Sequence, residues 1–285
     1  MIWLSLISTP LGGHRRAPGR LLGMRLRNPG NIDRAIRVLA DLQGMFMNCR
    51  GHDDTVPYLA WCGEASRQVR EQFVSPEFAE QAERDQRDLT LGGAVMTRPR
   101  EFLDRSIDIW QTRLVDARAR LEALRPFIER PGQIIVIDTS AFIEGEYFTD
   151  FNWRRLGGVQ ATGPVRLIVP IIVIGELDDL KRDKRAGDRA RSVLHRLLEL
   201  HGTAPLEPVQ VSGRQGVTVE VLLDHPRHQR LPDNDAEIID RAVHVGELTG
   251  QNVLLVAGDY GMLYRAAAAS LGTALMPRPR QDGPA

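Results

Sequence analysis

The chain has 285 residues, 42% apolar and 26% charged, with Lys+Arg and Asp+Glu both at 37. That length holds one large or two ordinary domains with a substantial core, and the zero net charge excludes a molecule-wide field that attracts nucleic acid, so any basic surface is local. The two cysteines, Cys49 and Cys62, exclude a disulfide framework and suit buried free thiols in a reducing, cytoplasmic compartment; with His52 they match no zinc spacing and lack a fourth ligand.

The opening MIWLSLISTPL is apolar but lacks a basic leader and a small-residue cleavage site. It also falls far short of the ~20 residues that cross a bilayer, so neither a signal peptide nor a membrane span is expected. Residues 12–30 are rich in Gly, Pro and Arg, which predicts disorder over 1–30, and Met24 offers an alternative start. From Asn31 the texture is helical: Ile32, Ile36, Leu39, Leu42 and Phe46 recur at three and four, then Tyr58, Trp61, Ala65, Val69 and Phe73 behind Pro57. A more polar helix restarts at Ser75-Pro76-Glu77, and after Gly92-Gly93 a long one runs from Arg100 to Ile128 with Trp110, Leu114, Leu121 and Phe127. Residues 31–130 thus read as an all-α region whose aromatic stripes are bundle core, with no chemical constellation.

Pro131-Gly132 marks a boundary, beyond which strands and helices alternate. Ile134-Ile135-Val136-Ile137 is a wholly apolar strand that ends on Asp138-Thr139-Ser140, and a short helix follows to Glu144. An insertion, Gly145 to Pro164, holds Tyr147, Phe148, Phe151 and Trp153. The run Val165 to Val169 is a second strand, followed by a helix from near Ile172 with Glu176 and a basic helix over Ala186 to Leu200. Val217 to Leu223 is a β-branched strand candidate. Asp233-Asn234-Asp235 caps a helix to Glu247, Val253 to Ala257 is a third buried strand ending in Gly258-Asp259, and a helix over Tyr260 to Leu271 and an edge strand near Ala274 to Met276 precede a Pro-Arg tail, 277–285. This alternation implies right-handed crossovers and a parallel sheet, hence an α/β domain over 131–276.

Two strands end on an aspartate, Asp138 and Asp259, and two helix starts carry Glu176 and Asp235. In a parallel sheet all four face the carboxyl edge, where ligands bind. Asp138 taken alone equally suits capping of the next helix. Four carboxylates in one crevice repel, and therefore take up protons or bind cations; hard oxygen ligands favour Mg²⁺ or Mn²⁺ over zinc. The chemistry best served is phosphodiester hydrolysis by a metal-activated water.

These residues resemble the PIN domain family, metal-dependent nucleases acting mainly on RNA, over 134–276. IIVIDTSAFIEG matches its first motif and places the first acid on Asp138; VPIIVIGELDDLK places the second on Glu176, DNDAEIIDRA the third on Asp235, and VLLVAGDYG the fourth on Asp259. The resemblance implies a three-layer fold around a central parallel sheet, a metal centre on those four acids, and cleavage of single-stranded RNA to 5′-phosphate and 3′-hydroxyl ends. Ala257 departs from the family, which usually has threonine there.

Around the acids, Thr139, Ser140 and Asp233 are candidates for support of the centre, whereas Asp178, Asp179 and Asp240 read as solvated helix charges. Lys181 to Arg196 carries seven Lys or Arg. Such a run is commonly a solvated face, but its place after Glu176 makes Lys181, Arg182, Lys184, Arg185 and Arg189 candidates for substrate phosphates. The aromatic insertion either stacks unpaired bases or packs against the helical half. His225 and His228 have no acid partner at metal spacing and read as loop.

The expected function is a divalent-metal-dependent ribonuclease. The rival is a PIN-like module that binds RNA or protein and turns over little, which Ala257 and the helical half both favour. An aspartyl phosphatase fits poorly, because its second aspartate would fall on Ser140. A stand-alone toxin fits poorly too, because of the residues in front of the domain, which are free to select substrate, mediate self-association, receive a regulatory protein or cover the crevice.

Overall fold

The computed structural model describes residues 26–28, 31–49, 55–73, 77–91, 99–159, 162–201, 207–224 and 228–279. The chain divides near Arg130 into two compact units. The first is helical: α1 (Ile32–Met47), α2 (Val56–Gln72), α3 (Glu77–Leu91) and α4 (Pro99–Ile128). The apolar spacing of α1 buries Ile32, Ile36, Leu39, Leu42 and Phe46 on one face. Trp61 and Trp110 meet edge-on at 5.1 Å in this core, and the indole of Trp61 donates to Leu42 O at 2.9 Å. The Trp110 indole and the Tyr58 hydroxyl both donate to Asp85 Oδ2, at 2.7 and 3.0 Å, so the polar edges of these large rings are satisfied inside the bundle. Cys49 and Cys62 are buried free thiols, and burial pushes Cys62 up to about 12. His52 lies outside the described residues.

The second unit is a six-stranded sheet of order β3-β4-β2-β1-β5-β6, flanked by helices. Its strands are β1 (Gln133–Ile137), β2 (Val165–Pro170), β3 (Val209–Gln210), β4 (Val217–Leu222), β5 (Val253–Ala257) and β6 (Gly272–Leu275). All neighbours are parallel except β3 and β4. The helices are α5 (Thr139–Glu144), α6 (Ile171–Leu180), α7 (Gly187–His201), α8 (Asn234–Thr249) and α9 (Tyr260–Ala268). The chain lays down β1, β2 and β4 in one direction, then crosses back over β1 to add β5 and β6. Strand order therefore reverses between β1 and β5, and at such a reversal the flanking loops part and leave a crevice at the carboxyl edge.

The central strands are buried along nearly their whole length, as their apolar runs require, with one exception that the sequence reading passed over. Arg166 interrupts the second run and is 1% exposed. The parallel register of β2 and β4 brings it to Glu220, whose Oε1 accepts from Arg166 Nη2 at 2.9 Å and from Nε at 3.2 Å. Arg130 completes the group, with Nη1 2.7 Å from Glu220 Oε2.

Three other differences have local causes. The last helix stops at Ala268, short of Leu271, because Ser270 adopts φ 63°, and β6 begins at Gly272 as a result. The two-residue β3 pairs antiparallel with β4 and is too short to carry a pattern. Phe148, Phe151 and Trp153 of the insertion are buried, Phe148 against Phe142 of α5 with ring centroids 5.6 Å apart, and Trp153 Nε1 donates to Phe148 O at 2.9 Å. Among the described residues no helix is long and apolar enough to cross a membrane. Of the predicted tail, Arg278 pairs with Glu144 at 2.7 Å; residues 280–285 lie outside the description, as do 1–25.

Candidate metal centre

Parallel register fixes Asp138 and Asp259. Ile137 pairs with Val256, and the amide of Asp138 donates to Val256 O at 2.9 Å, so Asp138 and Asp259 leave the sheet at the carboxyl ends of adjacent strands. Each caps the helix it begins: Asp138 accepts from the amide of Ser140 at 3.1 Å, and Asp259 from that of Met262 at 2.8 Å. The two readings offered by the sequence, cap and site acid, are thus compatible, since a carboxylate that accepts a helix amide keeps another oxygen for a ligand.

Hydroxyl and amide groups link the acids. Ser140 Oγ donates to Asp138 Oδ2 and accepts from the amide of Gly258 at 2.7 Å, which ties the ends of β1 and β5 together. Gly258 is required there: a Cβ would lie 2.7 Å from the carbonyl oxygen of Ser140. Thr139 Oγ1 donates to Glu176 Oε2, and Asn234 Nδ2 donates to Glu176 Oε1 at 2.9 Å, which connects the start of α5, helix α6 and the start of α8. Asp235, next to Asn234, accepts from Arg265 Nη1 at 3.0 Å. Asp233 caps α8 through the amide of Ala236 at 3.0 Å and lies 3.5 Å from the same guanidinium.

Asp138 is the most constrained member, at 4% exposure. Burial, with a further contribution from the Glu176 charge, pushes its carboxyl up to about 6 against the pull of the Ser140 and Thr139 hydrogen bonds. Among the described residues no lysine or arginine pairs with it. The four acids do not collapse onto one point: no three of them bring oxygens within 4.8 Å of one another. An all-oxygen set that is spread in this way fits a cation held by one or two carboxylates with the rest of its shell left to water and phosphate, the habit of Mg²⁺, and does not fit a closed zinc site.

The candidate phosphate contacts divide. Lys181, Arg182, Lys184 and Arg185 are exposed in the turn between α6 and α7, with Lys181 Nζ 2.6 Å from Asp178. Gly187 lets α7 start against that turn, since a Cβ would lie 2.7 Å from Lys181 O. Arg189 is committed to the fold: it donates to Phe142 O at 2.8 Å and to Gly145 O, and its guanidinium stacks 3.5 Å from the ring centre of Tyr147, which Arg196 also covers at 3.8 Å. Of the insertion aromatics, Phe148, Phe151 and Trp153 are thus buried, and the Tyr147 ring is covered by two guanidiniums.

His228 does have acid partners, contrary to the sequence reading. Its Nε2 lies 2.5 Å from Oε1 of the fully buried Glu237, whose Oε2 accepts from the amide of Leu231 at 2.9 Å, and Asp224 stands within 4.8 Å. The loop before α8 folds back over the helix, so residues nine apart meet in space. Arg230 pairs with Asp224 at 2.7 Å and Arg241 approaches Glu237 at 3.4 Å, so both carboxylates have a guanidinium and the group acts as an anchor for the start of α8. His225 lies outside the described residues. Sequence reasoning also missed Asn234, Gly258 and Arg265. Asn234 and Gly258 stand beside recognised acids and were legible as neighbours, whereas no local pattern marks Arg265.

Residues 135–275 match the sequence model of the PIN domain family. They are a PIN domain. PIN domains are generally nucleases and typically use divalent metals, in accord with the oxygen ligands that the candidate acids offer. No curated protein sequence matches the chain.

Proposed function

We propose that the PIN domain is a ribonuclease that hydrolyses phosphodiester bonds with Mg²⁺ or Mn²⁺ held by Asp138, Glu176, Asp235 and Asp259. The observation that carries this reading is Asp138: a carboxyl 4% exposed at the strand reversal, beside a second acid and, among the described residues, without a cationic side chain. A bound divalent ion would acidify water and neutralise charge on the leaving oxygen. The chain's own groups set that ion's place. Ser140 and Thr139 fix the rotamers of Asp138 and Glu176, Asn234 orients the outer oxygen of Glu176, and Gly258 lets the β5 end, one residue before Asp259, approach Ser140 closely. The exposed Lys181, Arg182, Lys184 and Arg185 supply charge for substrate phosphates, and the buried thiols Cys49 and Cys62 suit a cytoplasmic setting.

With Mn²⁺, the purified protein should cleave single-stranded RNA and Asp138→Asn should abolish cleavage. Equal activity in the variant would sink the assignment. The buried Ala257, without the hydroxyl usual in the family, favours the second reading, a binding module with little turnover. In that case RNA binds without cleavage and titration detects no divalent ion at the acids.

A further inference from the structure

Phe148, Phe151 and Trp153 of the insertion are buried, yet the structure exposes two other aromatics on the helix that follows Asp259. Helix α9 starts at Asp259 and turns Met262 and Ala266 inward. Its outer face carries Tyr260 at 67% and Tyr264 at 77% exposure, the latter the most exposed large hydrophobic side chain among the described residues. Positions four apart lie one turn above the other on one side of a helix. Their neighbours on that surface are Gly261, Ala267 and Ala268, too small to cover a ring face, and Leu263, which is half-buried. Arg265, one residue past Tyr264 and so about 100° round the helix, reaches Asp235 at 3.0 Å and Asp233 at 3.5 Å, which ties α9 to the start of α8 and its acids while the tyrosine face stays open.

We infer that the outer face of α9 is a stacking subsite for unpaired bases of a single-stranded polynucleotide, with Tyr260 and Tyr264 as platforms and Arg265 as the adjacent cation. The inference rests on the ribonuclease reading and adds the surface that holds its substrate. Bare aromatic faces beside a guanidinium are what single strands use, because every base has a π-face and the backbone needs positive charge; a paired duplex keeps its bases stacked and has none to offer. A protein partner would demand broad aliphatic anchors, and between the rings this face offers glycine, alanine and one half-buried leucine, Leu263.

Fluorescence anisotropy of the full chain, in Ca²⁺, with a labelled twelve-nucleotide single-stranded RNA and its duplex tests this. Tyr260→Ala and Tyr264→Ala should each weaken single-strand binding about 5- to 150-fold, the range that corresponds to loss of one stacked base. Tyr→Phe at either position should stay within about 2-fold, because the ring and not the hydroxyl makes the contact. Duplex affinity should not change. Alanine variants that bind single strands as the wild type does, or that lose single strand and duplex equally, overturn the subsite, as does loss of self-association with RNA binding intact. Cleavage by the wild type that still depends on Asp138 would then leave the nuclease reading standing, whereas a wild type that neither binds nor cleaves single strands removes both.

Discussion

Glu220 and Asp138 are both nearly buried acids of one sheet, at 5% and 4% exposure, and they face opposite electrostatic situations. Glu220, inside β4, has two guanidiniums, Arg166 and Arg130, within 2.9 Å. Asp138, at the end of β1, has hydroxyl and amide donors and a second carboxylate, and its proton affinity rises. A buried charge that serves the fold is neutralised by the fold, while one that serves a ligand is left short of positive charge.

The largest expected effect breaks the first half of that contrast. Glu220→Gln leaves two guanidiniums in the sheet without their counter-charge and should cost about 3–5 kcal/mol in chemical denaturation. A loss below about 1 kcal/mol would mean that the group is solvated.

Asp138→Asn sharpens the second half and should have the opposite sign. Burial holds the folded carboxyl up at about 6, above its value near 4 in an unfolded chain, so the folded protein binds this proton more tightly. Stability of the ion-free protein therefore falls as pH rises from about 4 to about 6, and from this group the loss is roughly 2–4 kcal/mol above that window. Asp138→Asn should be more stable than the wild type at pH 7 by a similar amount and equal to it at pH 4. Denaturation curves at the two pH values decide, and a variant less stable at pH 7 would show that the charge is already compensated.

A smaller change tests the link between the two strand ends. Gly258→Ala places a methyl 2.7 Å from Ser140 O and should cost about 1–3 kcal/mol, as overpacking does. It should also weaken Mn²⁺ binding, because Ser140 would lose the amide that fixes it against Asp138. Unchanged Mn²⁺ affinity would remove Gly258 from the support of the centre.

Much of this arrangement was legible in the sequence because it is written locally. Four apolar β-formers followed by Asp138, and five apolar residues before Gly258-Asp259, announce buried strands with acids at their ends. The helical periodicity around Phe46, Trp61 and Trp110 likewise gave the bundle core. What was not legible depends on partners set by sheet order and loop return. Arg166 passes unnoticed inside an apolar run until the β2–β4 register supplies Glu220, and His228 looks isolated until its loop meets Glu237. Exposure of Tyr260 and Tyr264 followed the same rule, since an aromatic residue in a short helix reads as core until the inward face is known.

The most direct test of the edge acids is the thermal midpoint of the metal-free full chain at pH 7, with and without Mn²⁺, for the wild type and Asp138→Asn. A cation that binds only the folded state raises stability by about 2.7 kcal/mol at a hundredfold excess over its dissociation constant. The account predicts a rise of that order in the wild type and little or none in Asp138→Asn. No rise in the wild type, or an equal rise in both, would contradict it.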